Sequence, residues 1–102
     1  MPKLAHHVFF RLNDRSDEAI ETLLAACNKY LNDHDGLIGF SVGTRDRELT
    51  REVNADFDVS LHCMFQDRPA HDAYQTAERH LQFIEENQHN WAEVRVFDST
   101  IV

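Results

Sequence analysis

Residues 57–66 contain the clearest structural pattern in the chain. Phe57, Val59, Leu61, Cys63 and Phe65 form one set of alternate positions that is entirely apolar, while the intervening positions are mostly polar. Period-two alternation is typical of a β-strand with one face packed on a hydrophobic core. Similar patterns predict three further strands, at about 4–12, 37–45 and 92–100. The chain is therefore predicted to contain a four-stranded sheet.

Two segments between these strands repeat apolar residues at helical spacing. The first helix is predicted to begin at Ser16, whose hydroxyl suits an N-cap, and to stop at Asp35-Gly36. The second begins after Asp67 and extends to about residue 90, with a break near 76–79. The order β-α-β-β-α-β favours a ferredoxin-like α+β fold, in which a four-stranded antiparallel sheet carries the helices on one face. The length predicts one domain spanning residues 1–102.

The sheet face opposite the helices is also predicted to be partly apolar. Two helices cover only one side, so the second face needs another cover or stays exposed. A second copy of the chain, packed sheet to sheet about a twofold axis, would form a homodimer with a dimeric α/β barrel. The alternative is a monomer in which the assignment of side chains to faces is wrong. The residues assigned to this face are Ala5, His7, Phe9, Ile38, Phe40, Val42, Ser60, His62 and Met64.

Three polar side chains, His6, Tyr74 and His80, fall at positions that the pattern assigns to the core. A buried polar group lowers stability unless it is hydrogen-bonded. Each of these side chains is therefore either hydrogen-bonded within the fold or retained for a function. Tyr74 and His80 would point apart on a continuous helix, so their convergence requires the break near 76–79. The three residues therefore either line one pocket or make three separate core contacts.

Charge and cysteine usage restrict the classes of partner and location. The chain has 18 acidic against 10 basic residues, a net charge of −8, which opposes binding to nucleic acid. A membrane-spanning segment and a signal peptide are not expected from the hydropathy pattern. Cys27 and Cys63 fall on apolar faces and are predicted to be reduced core thiols, so a cytoplasmic location is expected.

The seven histidines do not follow the sequence spacings typical of metal sites. The chain has no His-x3-His or Cys-x2-Cys motif, and no facial triad is visible in the sequence. It also has neither a Gly-x-Ser-x-Gly motif nor a glycine-rich phosphate loop. His34, His71 and His89 are predicted to be solvated helix residues. No metal and no other cofactor is therefore predicted.

Three motifs resemble those of the stress-responsive dimeric α/β-barrel (Dabb) family over nearly the whole chain. The family's opening motif of His, apolar residues, Phe, a basic residue and Leu corresponds to residues 6–12. The Tyr-Asp pair that opens the family's third strand corresponds to Phe57-Asp58, and we expect Asp58 to bond the loop backbone. The helical motif Tyr-x-x-His-Pro-x-His-x-x-Phe corresponds to Tyr74, His80 and Phe83, with Ala77-Glu78 in place of His-Pro. The resemblance implies a ferredoxin-like fold and a sheet-to-sheet dimer.

The resemblance also implies a candidate chemistry. A plant polyketide cyclase of this family closes a linear substrate by aldol chemistry without a cofactor, and its catalytic residues are similar to His6, Tyr74 and His80. A further tyrosine on its first helix corresponds to residues 26–28, which contain no tyrosine here.

The favoured function is binding of a small apolar or aromatic molecule between sheet and helices, in a stress-related role. One alternative is a cofactor-free enzyme for aldol cyclisation or monooxygenase-like chemistry. In this enzyme, His80 or His6, with a pKa near neutrality, would remove a proton alpha to a carbonyl group. Tyr74 would then stabilise the enolate by donating a hydrogen bond. The other alternative is a purely structural dimer domain with a filled core. The predicted pocket residues are Val8, Phe10, Leu23, Cys27, Leu61, Phe83 and Trp91.

Overall fold

The computed structural model describes residues 1–53 and 56–102. Its four strands form one antiparallel sheet in the order β2-β3-β1-β4. This is the predicted ferredoxin-like α+β arrangement, with the second helical region divided in two. The elements are β1 (Leu4–Leu12), α1 (Asp17–Tyr30), β2 (Leu37–Thr44), β3 (Val59–Phe65), α2 (Arg68–Thr76), α3 (Glu78–Asn87), a 3₁₀ turn (Gln88–Asn90) and β4 (Trp91–Thr100).

Side-chain caps begin α1 and α2 where the sequence predicted them. The Ser16 hydroxyl accepts a hydrogen bond from the Ala19 N–H at 3.2 Å. The Asp67 carboxylate accepts from the Ala70 N–H at 2.9 Å, and proline occupies the first turn of α2. Each cap satisfies a backbone donor that has no partner inside its helix, which is why the two helices start at these residues.

The C-terminus of α1 lies earlier than the sequence predicted. The helix ends at Tyr30 rather than at Asp35-Gly36. The Arg79 guanidinium donates hydrogen bonds to the carbonyls of Lys29 at 2.8 Å and Asn32 at 2.9 Å, so it caps this end from a distant helix. Gly36 instead serves the turn before β2 with a φ of +79°. The left-handed backbone of Asp33, with a φ of +61°, also lies directly after this end, and the Arg79 contact satisfies carbonyls that the helix leaves free.

Ala77 produces the predicted break in the second helical region. Its backbone is extended, with φ −62° and ψ 142°, between the helical residues of α2 and α3. Its N–H still donates to the Tyr74 carbonyl at 3.2 Å, which closes α2. The change of direction places the first turn of α3 back over the sheet.

The assignment of Phe40 and Val42 to the open face was wrong. A register irregularity lies between Leu37 and Gly39 in β2, and Ile38, at the irregularity, is 53% exposed. After it, Phe40 lies opposite Cys63 and Val42 opposite Leu61, and both pack against the core. Cross-strand partners share a face, so the extra residue of the bulge exchanges the two faces of this strand.

The open face, meaning the sheet surface away from the helices, keeps its other predicted members. His7 lies opposite His62 and Phe97, and Phe9 lies opposite Ser60. The Phe9 ring also contacts Phe57, His62 and Phe97, with centroids 5.2 to 6.1 Å apart. The face is therefore aromatic along its centre. Its residues on β1 and β3, together with the aromatic neighbours, are Ala5, His7, Phe9, Phe57, Ser60, His62, Met64 and Phe97.

The core lies between the sheet and the helices. Cys27 and Cys63 are both free and buried there, as predicted. Burial raises the pKa of each thiol to about 12, so neither is a ready nucleophile. The largest fully buried side chains are Tyr74, Phe10, Phe65, Leu31, Leu61, Val59 and Cys27.

Candidate ligand-binding cavity

A cavity of about 390 Å³ lies over β1 and β4, beneath α2 and α3. This volume is within the range of small-molecule sites, which are mostly apolar with a few polar groups. Val94 and Val96 of β4 are 38% and 50% exposed, so the cavity opens along this edge of the sheet. Its lining residues are His6, Val8, Phe10, Leu31, Leu61, His71, Tyr74, Gln75, His80, Phe83, Ile84, Trp91, Val94, Val96 and Asp98.

The structure brings His6, Tyr74 and His80 to the wall of this one cavity. The Tyr74 ring centroid lies 6.0 Å from that of His6 and 4.7 Å from that of His80. The break at Ala77 allows Tyr74 on α2 and His80 on α3 to face the same space.

Two of the predicted pocket residues lie elsewhere. Cys27 is fully buried in the core, and Leu23 lines a separate groove between α1 and the start of β4. The reason is the placement of α1, which packs against β2 and β3 rather than over the β1–β4 side that carries the cavity. The other five, Val8, Phe10, Leu61, Phe83 and Trp91, lie on the cavity wall.

Three buried polar atoms of the cavity residues have no nitrogen or oxygen hydrogen-bond partner among the residues that the structure describes. They are the Tyr74 hydroxyl, the Nδ1 of His80 and the indole Nε1 of Trp91. The Cys63 thiol is next to the Tyr74 hydroxyl, and a thiol is only a weak partner. Leaving a polar group buried without a strong partner costs roughly 1–3 kcal/mol, so each of these atoms would be stabilised by a hydrogen-bonding partner that reached it from the cavity.

Burial keeps Tyr74 and His80 neutral. Desolvation raises the pKa of Tyr74, and the nearby thiols of Cys63 and Cys27 add to this effect. Desolvation, followed by repulsion from His6 and other histidines, lowers the pKa of His80 to about 4. The expectation of a near-neutral pKa for His80 was therefore wrong, and this imidazole is a weak base.

His6 has a hydrogen-bond partner that the sequence patterns did not indicate. Its Nδ1 lies 2.5 Å from Oδ1 of Asp98, which stands opposite it on β4. A carboxylate only accepts hydrogen bonds, so Nδ1 carries the proton and Nε2 is left as an acceptor. Burial lowers the pKa of His6, while Asp98 opposes that shift. Only the β1–β4 register could have revealed this pair, because the two residues are 92 positions apart.

His71 and His34 are not the solvated helix residues that the sequence predicted, whereas His89 is exposed as expected. The His71 side chain is 13% exposed and its ring centroid lies 5.2 Å from that of His6. The ring of His34 lies 5.0 Å from that of Tyr74, and its Nε2 is 2.7 Å from the Tyr30 carbonyl. The i, i+3 spacing of His71 and Tyr74 on α2 was the available signal for His71.

Acid is expected to destabilise the fold through His80. Its pKa is about 4 in the fold against an ordinary 6.5, so the unfolded chain binds this proton more readily. The contribution of neutral His80 to the free energy of unfolding is therefore fully present above pH 6.5 and is lost as the pH falls towards 4. Between pH 7 and 4.5 the free energy of unfolding should fall by on the order of 1–2 kcal/mol more in wild type than in His80→Gln. Urea unfolding across this range measures the difference, and parallel pH profiles would contradict it.

The structure thus defines a class: a ferredoxin-like α+β protein with a mainly apolar cavity between its sheet and its helices. No helix among the described residues is long and apolar enough to cross a membrane. The family model of the stress responsive A/B barrel domain (Dabb) matches residues 4–101. The chain belongs to this family. None of the curated proteins matches it.

Solved structures share the fold at low sequence identity. A Dabb family protein from Mesorhizobium loti with a ferredoxin-like fold is 18% identical, with a TM-score of 0.84 over 100% of this chain and 99% of that one. A dimeric ferredoxin-like protein of unknown function from Thermobifida fusca is 18% identical, with a TM-score of 0.83 over 98% and 92%. A hydroxynitrile lyase from Passiflora edulis is 18% identical, with a TM-score of 0.79 over 99% and 94%.

Proposed function

We propose that this protein binds a small, largely apolar or aromatic molecule carrying an oxygen acceptor, as a homodimer with a stress-related role. The observation that carries the proposal is a mainly apolar cavity lined by Tyr74, His80 and Trp91, whose buried polar atoms have no strong hydrogen-bond partner among the described residues. The Tyr74 hydroxyl and the Trp91 indole N–H are both donors, so a carbonyl or phenol oxygen would satisfy them. The apolar remainder would bind through desolvation of its surface.

The aromatic open face supports self-association, and the Thermobifida fusca structure, which shares the fold, is dimeric. We take residues 1–102 as one functional domain, and the family match to residues 4–101 supports this. The two free, buried thiols support a cytoplasmic location.

A second candidate function is cofactor-free proton abstraction. The His6–Asp98 pair favours it, because Asp98 orients the imidazole and would stabilise its protonated form. Nε2 of His6 would remove a proton alpha to a carbonyl, and the Tyr74 hydroxyl would donate a hydrogen bond to the resulting enolate oxygen. Aldol cyclisation and monooxygenase-like chemistry both begin with such a step, and the Passiflora edulis protein with this fold is an enzyme. The cavity argues against a purely structural domain.

Acetophenone and ethylbenzene form a matched pair of probes, since acetophenone carries a carbonyl group where ethylbenzene has a methylene group. Trp91 is the only tryptophan, so its indole N–H gives one resonance that reports on the cavity. Acetophenone is expected to shift this resonance saturably. Tyr74→Phe should weaken acetophenone binding about five- to tenfold, the contribution of one hydrogen bond, and leave ethylbenzene binding unchanged.

Tyr30→Phe is the control, because the Tyr30 hydroxyl bonds Glu86 at 2.7 Å and does not line the cavity. An unsaturable shift, or equal losses for both probes in Tyr74→Phe, would count against the binding function.

Exchange of the acetophenone methyl protons with D₂O in the same samples tests the enzyme alternative. Exchange at the buffer rate, or undiminished exchange in His6→Gln, would exclude His6 as the base.

A further inference from the structure

Two histidines and one carboxylate meet at one end of the cavity, although the sequence spacings predicted no metal site. His6 comes from β1, His71 from α2 and Asp98 from β4. One potential ligand atom from each residue lies within 4.8 Å of the other two. We propose that His6, His71 and Asp98 bind a divalent transition-metal ion. The inference is independent of the proposed binding function, which rests on Tyr74, His80 and Trp91, but it uses the His6–Asp98 pair of the second candidate function.

Hydrogen bonds fix the orientation of His71 for this role. Its Nδ1 lies 3.0 Å from Oδ1 of Asp72, and the Arg68 guanidinium holds the same oxygen at 2.9 Å. Because Asp72 only accepts, Nδ1 of His71 carries the proton and Nε2 exposes a lone pair. A carboxylate on the second nitrogen of a histidine is the usual support for a metal ligand.

A second acceptor lies near Nε2 of His71. Oδ1 of Asp98 is 3.8 Å away, so in the tautomer that is protonated on Nδ1 two acceptors lie close together and repel each other. The amide nitrogen of Gln75 approaches the same Nε2 at 3.4 Å, which is too long for a strong hydrogen bond. A cation between the two acceptors would convert this repulsion into attraction, and the net charge of −8 adds to it.

His6 completes the ligand set by changing tautomer. Its Nδ1 and Oδ1 of Asp98, 2.5 Å apart, now hold one proton between them. Metal coordination at Nδ1 requires that nitrogen to be unprotonated, so the proton moves by way of solvent to Nε2 and the imidazole stays neutral. Ligand bonds of about 2.0–2.2 Å place neighbouring ligand atoms about 3–3.5 Å apart, so shifts of about 1 Å suffice. Asp98, 42% exposed, has room to make them.

The donor set indicates the class of metal. Imidazole and carboxylate ligands suit Zn²⁺, Co²⁺, Fe²⁺ or Mn²⁺. Both cysteines lie in the core rather than at this site, which argues against a thiophilic ion. Three protein ligands beside the cavity leave further coordination positions for water or for a ligand oxygen.

Calorimetric titration of the full chain with Co²⁺ tests the site. We expect one ion per chain, with the same binding enthalpy in two buffers of different ionisation enthalpy, because His6 only changes tautomer and no net proton is released. His71→Ala and Asp98→Asn should each weaken binding at least tenfold, and Asp72→Ala about tenfold, because it removes the acceptor that orients the His71 ring. His71 and Asp98 lie at the cavity edge, and circular dichroism tests whether their variants fold.

His62→Ala is the matched control, because the Nδ1 atoms of His62 and His7 lie 3.0 Å apart on the open face and form the competing histidine pair. Affinity in His62→Ala should equal that of wild type. The proposal is overturned if wild type binds no Co²⁺ at micromolar concentration, if His71→Ala and Asp98→Asn bind as wild type does, or if His62→Ala abolishes binding.

Discussion

Replacing Asp58 with alanine is expected to lower the free energy of unfolding by about 3 kcal/mol. The side chain is 8% exposed, and its Oδ2 accepts a buried hydrogen bond from the Leu12 N–H at 2.9 Å. Its carboxylate also accepts from Nε of Arg15 at 3.1 Å. The alanine variant leaves the Leu12 N–H buried without its acceptor and removes a charge-assisted pair. Asp58 thus bonds backbone, as the sequence predicted, but the donor is the last residue of β1 and not the loop. Urea unfolding at pH 7 measures the loss.

Asp56→Asn is the control for this prediction. Asp56 also contacts Arg15, at 3.0 Å, but its side chain is 60% exposed, so its pair contributes less than about 1 kcal/mol. Asparagine tolerates the φ of +59° at this position, so the backbone is kept. Asp58→Asn, which retains an acceptor for the Leu12 N–H, should recover part of the loss. Equal stability of Asp58→Ala and Asp56→Asn would show that the buried hydrogen bond contributes nothing.

Phe97→Glu is expected to convert a homodimer into monomers, with the dissociation constant raised by at least about 100-fold. Phe97 is 54% exposed on the open face, and its ring lies 6.1 Å from Phe9. A twofold axis brings two copies of this substitution to one interface, where two carboxylates lose their hydration in contact with aromatic rings. Each chain already carries a net charge of −8, which adds to the repulsion. Sedimentation equilibrium measures the association.

Leu81→Glu provides a control of almost equal exposure. Leu81 is 53% exposed on α3, away from the open face, so the same change of side chain should leave the dimer intact. Circular dichroism of Phe97→Glu is expected to match wild type, because the side chain is exposed within one chain. A wild-type protein that is monomeric at 50 µM, or an equal effect of both substitutions, would refute sheet-to-sheet association.

Local patterns predicted the order of the elements and part of the cavity. The alternation in β1 and over residues 59–65 of β3, and the caps at Ser16 and Asp67, depend on neighbours within a few residues and are confirmed. Phe57 differs, because it precedes β3 and its ring contacts Phe9 on the open face. The break at Ala77 could be predicted because helical geometry would otherwise separate two polar residues that both lie on apolar faces. These features could be predicted from the sequence because side-chain periodicity is a local property of the backbone.

Long-range packing decided the rest. The bulge in β2 reversed the faces of Phe40 and Val42, since one extra residue exchanges every side chain beyond it. The position of α1 over β2 and β3 removed Cys27 from the cavity wall.

The sequence by itself determined which segments form strands and helices and that His6, Tyr74 and His80 fall on apolar faces. Only the tertiary structure paired His6 with Asp98 and placed His71 beside them. The physical reason is that strand register and helix placement join residues far apart in the chain, whereas periodicity reports only on near neighbours. His6, Tyr74 and His80 therefore belong to a larger group of polar residues around the cavity. Its other members, His71 and Asp98, could be identified only from the tertiary structure.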